Sequence, residues 1–201
     1  LILLLGCVSN RASKTTDKEN MFKTPISPKD MVERMGSGTN LGNILEASPD
    51  WDWVIPEEEY YFDDYKAAGY KNVRIPVNWG HHMDDKGNID PEFMDRVEKV
   101  VNWSLDRGFI TIINAHHEGW LIDRYKSQVF KLDRIWEQIS ERFRFKSENL
   151  VFEIFNEPRN SMGTKECNDM NSRILPIIRK HNPYRMVIIG GSGWGNYFDL
   201  M

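Results

Sequence analysis

The sequence predicts an α/β fold built on a parallel sheet, and three observations predict it. Five short strand-like runs, four of them apolar, alternate with segments whose apolar residues recur at helical spacing, as strands joined by crossover helices do. One run, Phe109-Ile110-Thr111-Ile112-Ile113-Asn114, is apolar almost throughout, as a strand buried on both faces must be. Polar and aromatic residues gather just after the runs, at the strand ends where a parallel barrel places its chemistry.

Taken in order, Gly38-Thr39-Asn40-Leu41-Gly42-Asn43 reads as a short strand ending in a turn. Pro56, followed by Glu57, Glu58 and Glu59, predicts a helix start, because proline fits the first turn and carboxylates suit its positive end. Gly69 ends that helix. Asn72 to Val77 is a strand, with Pro76 near its end because proline cannot donate to a ladder. Asp90-Pro91 opens the next helix, whose Phe93, Val97, Val100, Val101 and Leu105 share one face, and Gly108 stops it. A third helix carries Ile135, Ile139 and Phe143, and a strand runs from Leu150 to Phe155. A fourth helix carries Met170, Ile174, Ile177 and Ile178, and Met186 to Gly190 is the final strand. Five strands and four helices fit either part of a (β/α)8 barrel, which needs eight strands and ~250 residues, or a complete doubly wound sheet. The glycine-rich phosphate fingerprints of nucleotide-binding sheets are missing.

The chain has 201 residues, of which 40% are apolar and 12% aromatic, enough to build a core and to exclude bulk disorder. Its net charge of −4 lacks the basic surplus of a nucleic-acid binder, so no nucleic-acid partner is expected. Two cysteines, Cys7 and Cys167, are too few for a disulfide framework. The opening Leu1-Ile2-Leu3-Leu4-Leu5 is far shorter than the ~20 apolar residues of a membrane span and reads as the end of a signal segment. Leu4-Leu5-Gly6-Cys7 resembles a bacterial lipobox, which implies a lipid on Cys7 and an exported protein, either membrane-anchored or secreted. The expected organisation is therefore a partial signal segment at 1–7, a polar flexible tether at 8–30 and a barrel domain at 31–201.

The strand ends carry the chemistry. Asn78, Trp79, His81 and His82 follow one strand, and Asn114, His116, His117, Glu118 and Trp120 follow the next. Asn156-Glu157-Pro158 follows the third long run, and Ser192 and Trp194 follow the last. Glu157 suits general-acid work if burial raises its pKa, and the amide of Asn156 can hold a substrate hydroxyl. Arg74 lies inside an apolar strand and needs an anionic partner, for which Glu153 is available. His116 and His117 are adjacent, and neighbours on an extended strand point to opposite faces, so they make a poor chelate and no metal is expected. A neutral histidine bonding substrate hydroxyls or a carboxylate is the favoured reading. Trp103 and Trp136 read as packing residues on helices, whereas Trp51, Trp53, Trp79, Trp120 and Trp194 lie in or near loops, where indole faces can stack on sugar rings.

Four stretches together resemble glycoside hydrolase family 5, most closely its bacterial endoglucanase branch. They are Gly38 to Asn43, Val73-Arg74-Ile75-Pro76-Val77-Asn78-Trp79, Ile113-Asn114-Ala115-His116-His117-Glu118 and Phe152-Glu153-Ile154-Phe155-Asn156-Glu157-Pro158. The resemblance spans roughly Met31 to the end of the chain. It implies a (β/α)8 barrel, here ending after about the fifth strand, and retaining hydrolysis of β-1,4-glucan without a cofactor. By the family's pattern Glu157 is the general acid/base, and Asn156 contacts the sugar at the cleavage subsite. Arg74 and His116 support the carboxylates and substrate, and His117, Asn40, Trp79, His81 and Trp194 are lesser contacts. The family's nucleophile, a Glu at the seventh strand, has no counterpart, so the chain reads as a fragment that is inactive by itself. Mannan, xyloglucan and mixed-linkage glucan are alternative substrates. A non-catalytic, lipid-anchored glycan-binding protein is the alternative from another class, and a metal-dependent hydrolase ranks third.

Overall fold

The computed structural model describes residues 26–200. Cys7, the signal segment and most of the tether lie outside the described residues. Five parallel strands form one sheet: β1 (Gly38–Asn40), β2 (Asn72–Ile75), β3 (Ile110–Asn114), β4 (Leu150–Glu153) and β5 (Val187–Ile188). Each strand pairs with the next in sequence, in the order β1-β2-β3-β4-β5. That order decides between the two architectures. A doubly wound sheet reverses direction at a switch point, and this sheet winds one way only, as a barrel does. The five strands and their helices are part of a (β/α)8 barrel.

The helices α2 (Tyr60–Ala67), α3 (Pro91–Asp106), α4 (Gly119–Arg142) and α5 (Thr164–His181) connect the strands. Val73, Ile75, Ile113, Leu150 and Phe152 pack outward with Phe62, Val97, Val101, Ile135, Trp136, Ile139 and Ile174 into the main core. On the inner face of the sheet, Ile110, Ile112 and Val151 meet Met31. Met31 belongs to α1 (Pro28–Met35), a helix capped by Ser27, whose hydroxyl accepts from the Asp30 N–H. The tether expected to run to residue 30 therefore ends earlier, and the domain boundary drawn at 31 falls inside α1. The chain gains this helix because Met31, 1% exposed, plugs the inner face of the sheet. Among the described residues no helix is long and apolar enough to cross a membrane.

Two predicted elements start or stop elsewhere. The helix expected at Pro56 begins at Tyr60, because Glu57 is drawn onto α3 by Arg96 at 2.6 Å and Lys99 at 3.3 Å. Burial raises the Glu57 pKa, but the hydrogen bonds from Arg96 and Lys99 outweigh it and bring Glu57 down to about 2. β2 stops at Ile75, since Pro76 has no N–H for the ladder. Beyond the strand ends the connection persists through single bonds. Leu41 N–H donates to the Arg74 carbonyl (2.8 Å), His116 N–H to Val77 (2.8 Å) and Asn156 N–H to Ala115 (2.9 Å). These bonds tie the loops that carry the functional side chains to the strands beside them.

Helix α4 breaks at Arg124 (φ −138°, ψ 40°). Ser161, from the loop after β4, supplies the cause. Its hydroxyl donates to the Ile122 carbonyl at 2.6 Å, and its N–H reaches the same oxygen at 3.2 Å.

Candidate active site

The C-terminal ends of β2, β3 and β4 converge on one cluster. Register places Asn40, Arg74, Ile112 and Val151 in one row across the sheet, with Asn114 and Glu153 in a neighbouring row. From β2 the Arg74 guanidinium forks onto Glu153, with Nε at 2.6 Å and Nη2 at 2.8 Å from the two carboxylate oxygens. The same Nη2 donates to Asn156 Oδ1 at 2.8 Å. The pair expected between Arg74 and Glu153 is thus present, and it is bidentate. With its oxygen taken by Arg74, Asn156 keeps its amide N–H groups for an acceptor in the cleft. Asn40 stands at the end of β1 on the same face as Arg74 and is exposed.

Glu157 follows Asn156 with φ 49°, in the left-handed region that a non-glycine residue enters only at a cost. Its side chain is 46% exposed, so burial of the carboxyl, which the sequence reading asked for, is not observed among the described residues. The Arg159 Nη1 lies 3.1 Å from the Glu157 carbonyl and 3.9 Å from its carboxylate. The Arg159 guanidinium also covers the ring of Trp194, 4.4 Å from the centroid. Trp194 is 63% exposed and is itself in left-handed backbone (φ 67°), held by its N–H on the Pro158 carbonyl at 3.0 Å. Arg159, which sequence reasoning did not single out, therefore links Glu157 to Trp194. Its position two residues after Glu157 was the available signal.

His116 is buried and His117 exposed, their rings in edge contact at 4.3 Å between centroids. Burial, then His117 and Arg74, push His116 down to about 3, so its ring is neutral at physiological pH. His117 has φ 54°, which turns the chain from β3 toward α4. His81 is exposed on a 3-10 turn, its N–H bonded to Asn78 Oδ1 at 3.1 Å. Among the described residues, no group of three or more His, Cys, Asp or Glu is placed to hold a metal ion.

Trp79 is a correction. It is fully buried, packs edge-on against Phe93 and donates its indole N–H to the Asn114 carbonyl at 2.9 Å, so neither face is open to a sugar. The apolar ring is worth more in the core than at the rim. Trp120 opens α4 rather than a loop, and its indole N–H donates to Glu118. Glu118 is wholly buried. It accepts from Trp79 N–H (2.8 Å), Gly80 N–H (3.0 Å) and Trp120, and burial, the larger effect, pushes its pKa up to about 8.

Strand-end carboxylates, a bidentate arginine, a neutral histidine and rim aromatics thus gather on the C-terminal face of the partial barrel, the face where parallel barrels place their chemistry. The family model described as cellulase (glycosyl hydrolase family 5) matches residues 32–201, and the chain belongs to that family. It is 56% identical over 178 residues to endoglucanase H of Acetivibrio thermocellus, an alignment covering 88% of this chain and 20% of that protein. The endoglucanase Cel5A of Thermotoga maritima superposes with a TM-score of 0.83 at 33% identity, over 87% of this chain and 57% of that one. The same enzyme in complex with mannotriose gives a TM-score of 0.82 at 32% identity, with the same coverage. A tri-modular endo-β-1,4-glucanase of family 5, subfamily 4, from Bacillus licheniformis gives 0.76 at 43% identity, over 83% and 35%. The chain thus spans between a fifth and somewhat over half of the relatives it matches.

Proposed function

We propose that this chain supplies the acid/base half of an endo-acting, retaining hydrolase of β-1,4-glucan. The observation that carries the reading is the Arg74 fork, which fixes Glu153 and Asn156 beside Glu157 at the end of β4. In this reading the Glu157 carboxyl protonates the departing glycosidic oxygen and then, as a carboxylate, takes a proton from the attacking water. Asn156, its oxygen held by Arg74, donates its amide N–H to the sugar hydroxyl next to the anomeric carbon. His116 donates to a further hydroxyl, and Trp194 offers an open indole face at the rim. Retention also requires a second carboxylate ~5–5.5 Å from the first. None of the described acids takes that place in this reading, because Glu153 is committed to Arg74 and Glu118 to backbone N–H groups.

The test uses the longest product of the gene that carries this chain. Glu157→Gln is expected to lower turnover of carboxymethylcellulose about 10²–10⁴-fold, the usual worth of a positioned acid. Hydrolysis of a dinitrophenyl cellobioside, whose leaving group needs no proton, is expected to fall far less in its glycosylation step. Equal losses on both substrates would remove Glu157 from the acid role. The mannotriose complex of the Thermotoga relative supports mannan as a second substrate, and activity on mannan in the same assay would establish it.

A further inference from the structure

Asn114 ends β3 and is completely buried, and three of its atoms are engaged. Its main-chain carbonyl takes the Trp79 indole N–H at 2.9 Å. Its side-chain Oδ1 lies 3.4 Å from the main-chain N–H of Val77. Its Nδ2 lies 3.2 Å from Nδ1 of His116. The Val77 N–H can only donate, so the amide oxygen must face it, and the amide NH2 must then face the imidazole. An NH2 group only donates, so Nδ1 has to accept with its lone pair. A neutral imidazole whose Nδ1 is bare carries its proton on Nε2.

We propose that Asn114 is a positioning residue that fixes His116 as the Nε2–H tautomer, so that His116 offers the cleft a hydrogen-bond donor and no lone pair. Nε2 has no partner among the described residues and is not sealed from solvent. The burial, His117 and Arg74 that hold His116 near 3 keep the ring neutral, so the tautomer is fixed over the whole neutral range. Two chemical consequences follow. His116 cannot act as a base or a metal ligand through Nε2. What it selects is an acceptor, a sugar hydroxyl oxygen or a carboxylate oxygen. The tautomer stands on the geometry of this chain; its use toward a glycan rests on the hydrolase reading above.

The test is long-range proton–nitrogen correlation on the nitrogen-15-labelled chain. Nδ1 of His116 is expected to resonate as a bare, pyridine-like nitrogen and Nε2 as a protonated, pyrrole-like one, unchanged from pH 5 to 8. The reverse pattern, or an imidazolium signature in that range, would overturn the proposal without any variant being made. Asn114→Asp keeps the shape but replaces the NH2 with an acceptor, so the two nitrogen signals are expected to exchange character. If the folded variant keeps the Nε2–H pattern, Asn114 is not what sets it. Addition of cellotetraose is expected to shift Nε2 and leave Nδ1 in place. A fixed tautomer with no shift at Nε2 would discard the glycan contact while leaving the tautomer assignment standing, which separates the two failures.

Discussion

Arg185 and Arg74 sit at opposite ends of the same sheet and are satisfied in opposite ways. Arg185, 3% exposed, lies below the start of β4 and donates to the carbonyls of Phe143, Lys146, Ser147 and Leu150 and to Asn182 Oδ1. Burial brings its pKa down to about 9. Arg74, at the upper end of β2, spends its guanidinium on the side chains of Glu153 and Asn156 and remains 21% exposed. The lower arginine stitches main chain to main chain, joining the end of α4 to the start of β4. The upper one orients side chains that face the cleft. The difference teaches where this fold keeps its stability and where it keeps its chemistry, since a barrel's N-terminal face serves the first and its C-terminal face the second.

The sharpest way to break the comparison is to remove the lower guanidinium. Arg185→Met keeps the stem but takes the guanidinium from four carbonyls and an amide oxygen. Phe143 and Ser147 keep the N–H groups of Lys146 and Leu150, whereas the Lys146 and Leu150 carbonyls and Asn182 Oδ1 lose their guanidinium donor. At about 1–3 kcal/mol for each buried group left unpaired, even partial relaxation leaves a loss of roughly 5 kcal/mol. That rivals the whole stability of a domain, ~5–15 kcal/mol. The variant is expected to lose its cooperative thermal transition by circular dichroism. A melting temperature close to the parent's would show that the main-chain stitching is dispensable.

The upper network is expected to be softer. Arg74→Met leaves Glu153, whose side chain is 15% exposed, without its partner. Breaking a fully buried pair costs about 3–5 kcal/mol, and the remaining exposure of this one reduces that to roughly 2–3. Glu153→Gln in the same chain is expected to recover part of the loss, giving a coupling of about 1 kcal/mol or more in a urea double-mutant cycle. A coupling near zero would make the fork ornamental to stability, and its role would then rest on orienting Asn156 alone.

Much of this division was legible in the sequence, for identifiable reasons. The alternation of apolar runs and helical stretches located four of the five strands, the turn after Asn40 marked the first, and charges inside apolar strands, Arg74 and Glu153, announced their own pairing. Alternation alone did not choose between barrel and doubly wound sheet, because that depends on which strands pair and not on where they lie; the resemblance to family 5 motifs made the choice, and the strand order agrees with it. The burial of Trp79 was hidden for a similar reason. Its indole partner, the Asn114 carbonyl, lies on the neighbouring strand, and no local pattern reports a main-chain acceptor. Ser161 breaking α4 belongs to the same class of contact, and so does the Val77 N–H that orients the Asn114 amide, although His116 itself is only two residues from Asn114. Helix α1 escaped because only its docking of Met31 against β3 and β4, far off in the sequence, makes those eight residues worth folding. The left-handed backbone at His117 and Glu157 carries no residue signature at all, since neither is glycine.

A smaller effect sharpens the comparison by giving the upper face a pH dependence that Arg185 does not share. Glu118 is buried against N–H groups of Trp79, Gly80 and Trp120, and its folded pKa is pushed up from 4.5 to about 8. A raised carboxyl favours the protonated fold. Its contribution is complete below pH 4.5 and is lost as pH rises toward 8, at roughly 1.4 kcal/mol per pH unit between those limits. His116 works in the other direction, because its folded pKa is lowered from 6.5 to about 3. Its contribution is complete above pH 6.5 and is lost as pH falls toward 3. Between pH 6.5 and 8 Glu118 acts alone of these two, so the parent chain is expected to lose stability to urea across that interval. Glu118→Gln, which retains an acceptor oxygen for the N–H groups, is expected to remove that slope while leaving the acid limb, to which His116 and Glu57 contribute. If the slope survives the substitution, three N–H donors outweigh burial, and Glu118 is an ordinary carboxylate anchoring the loop after β2.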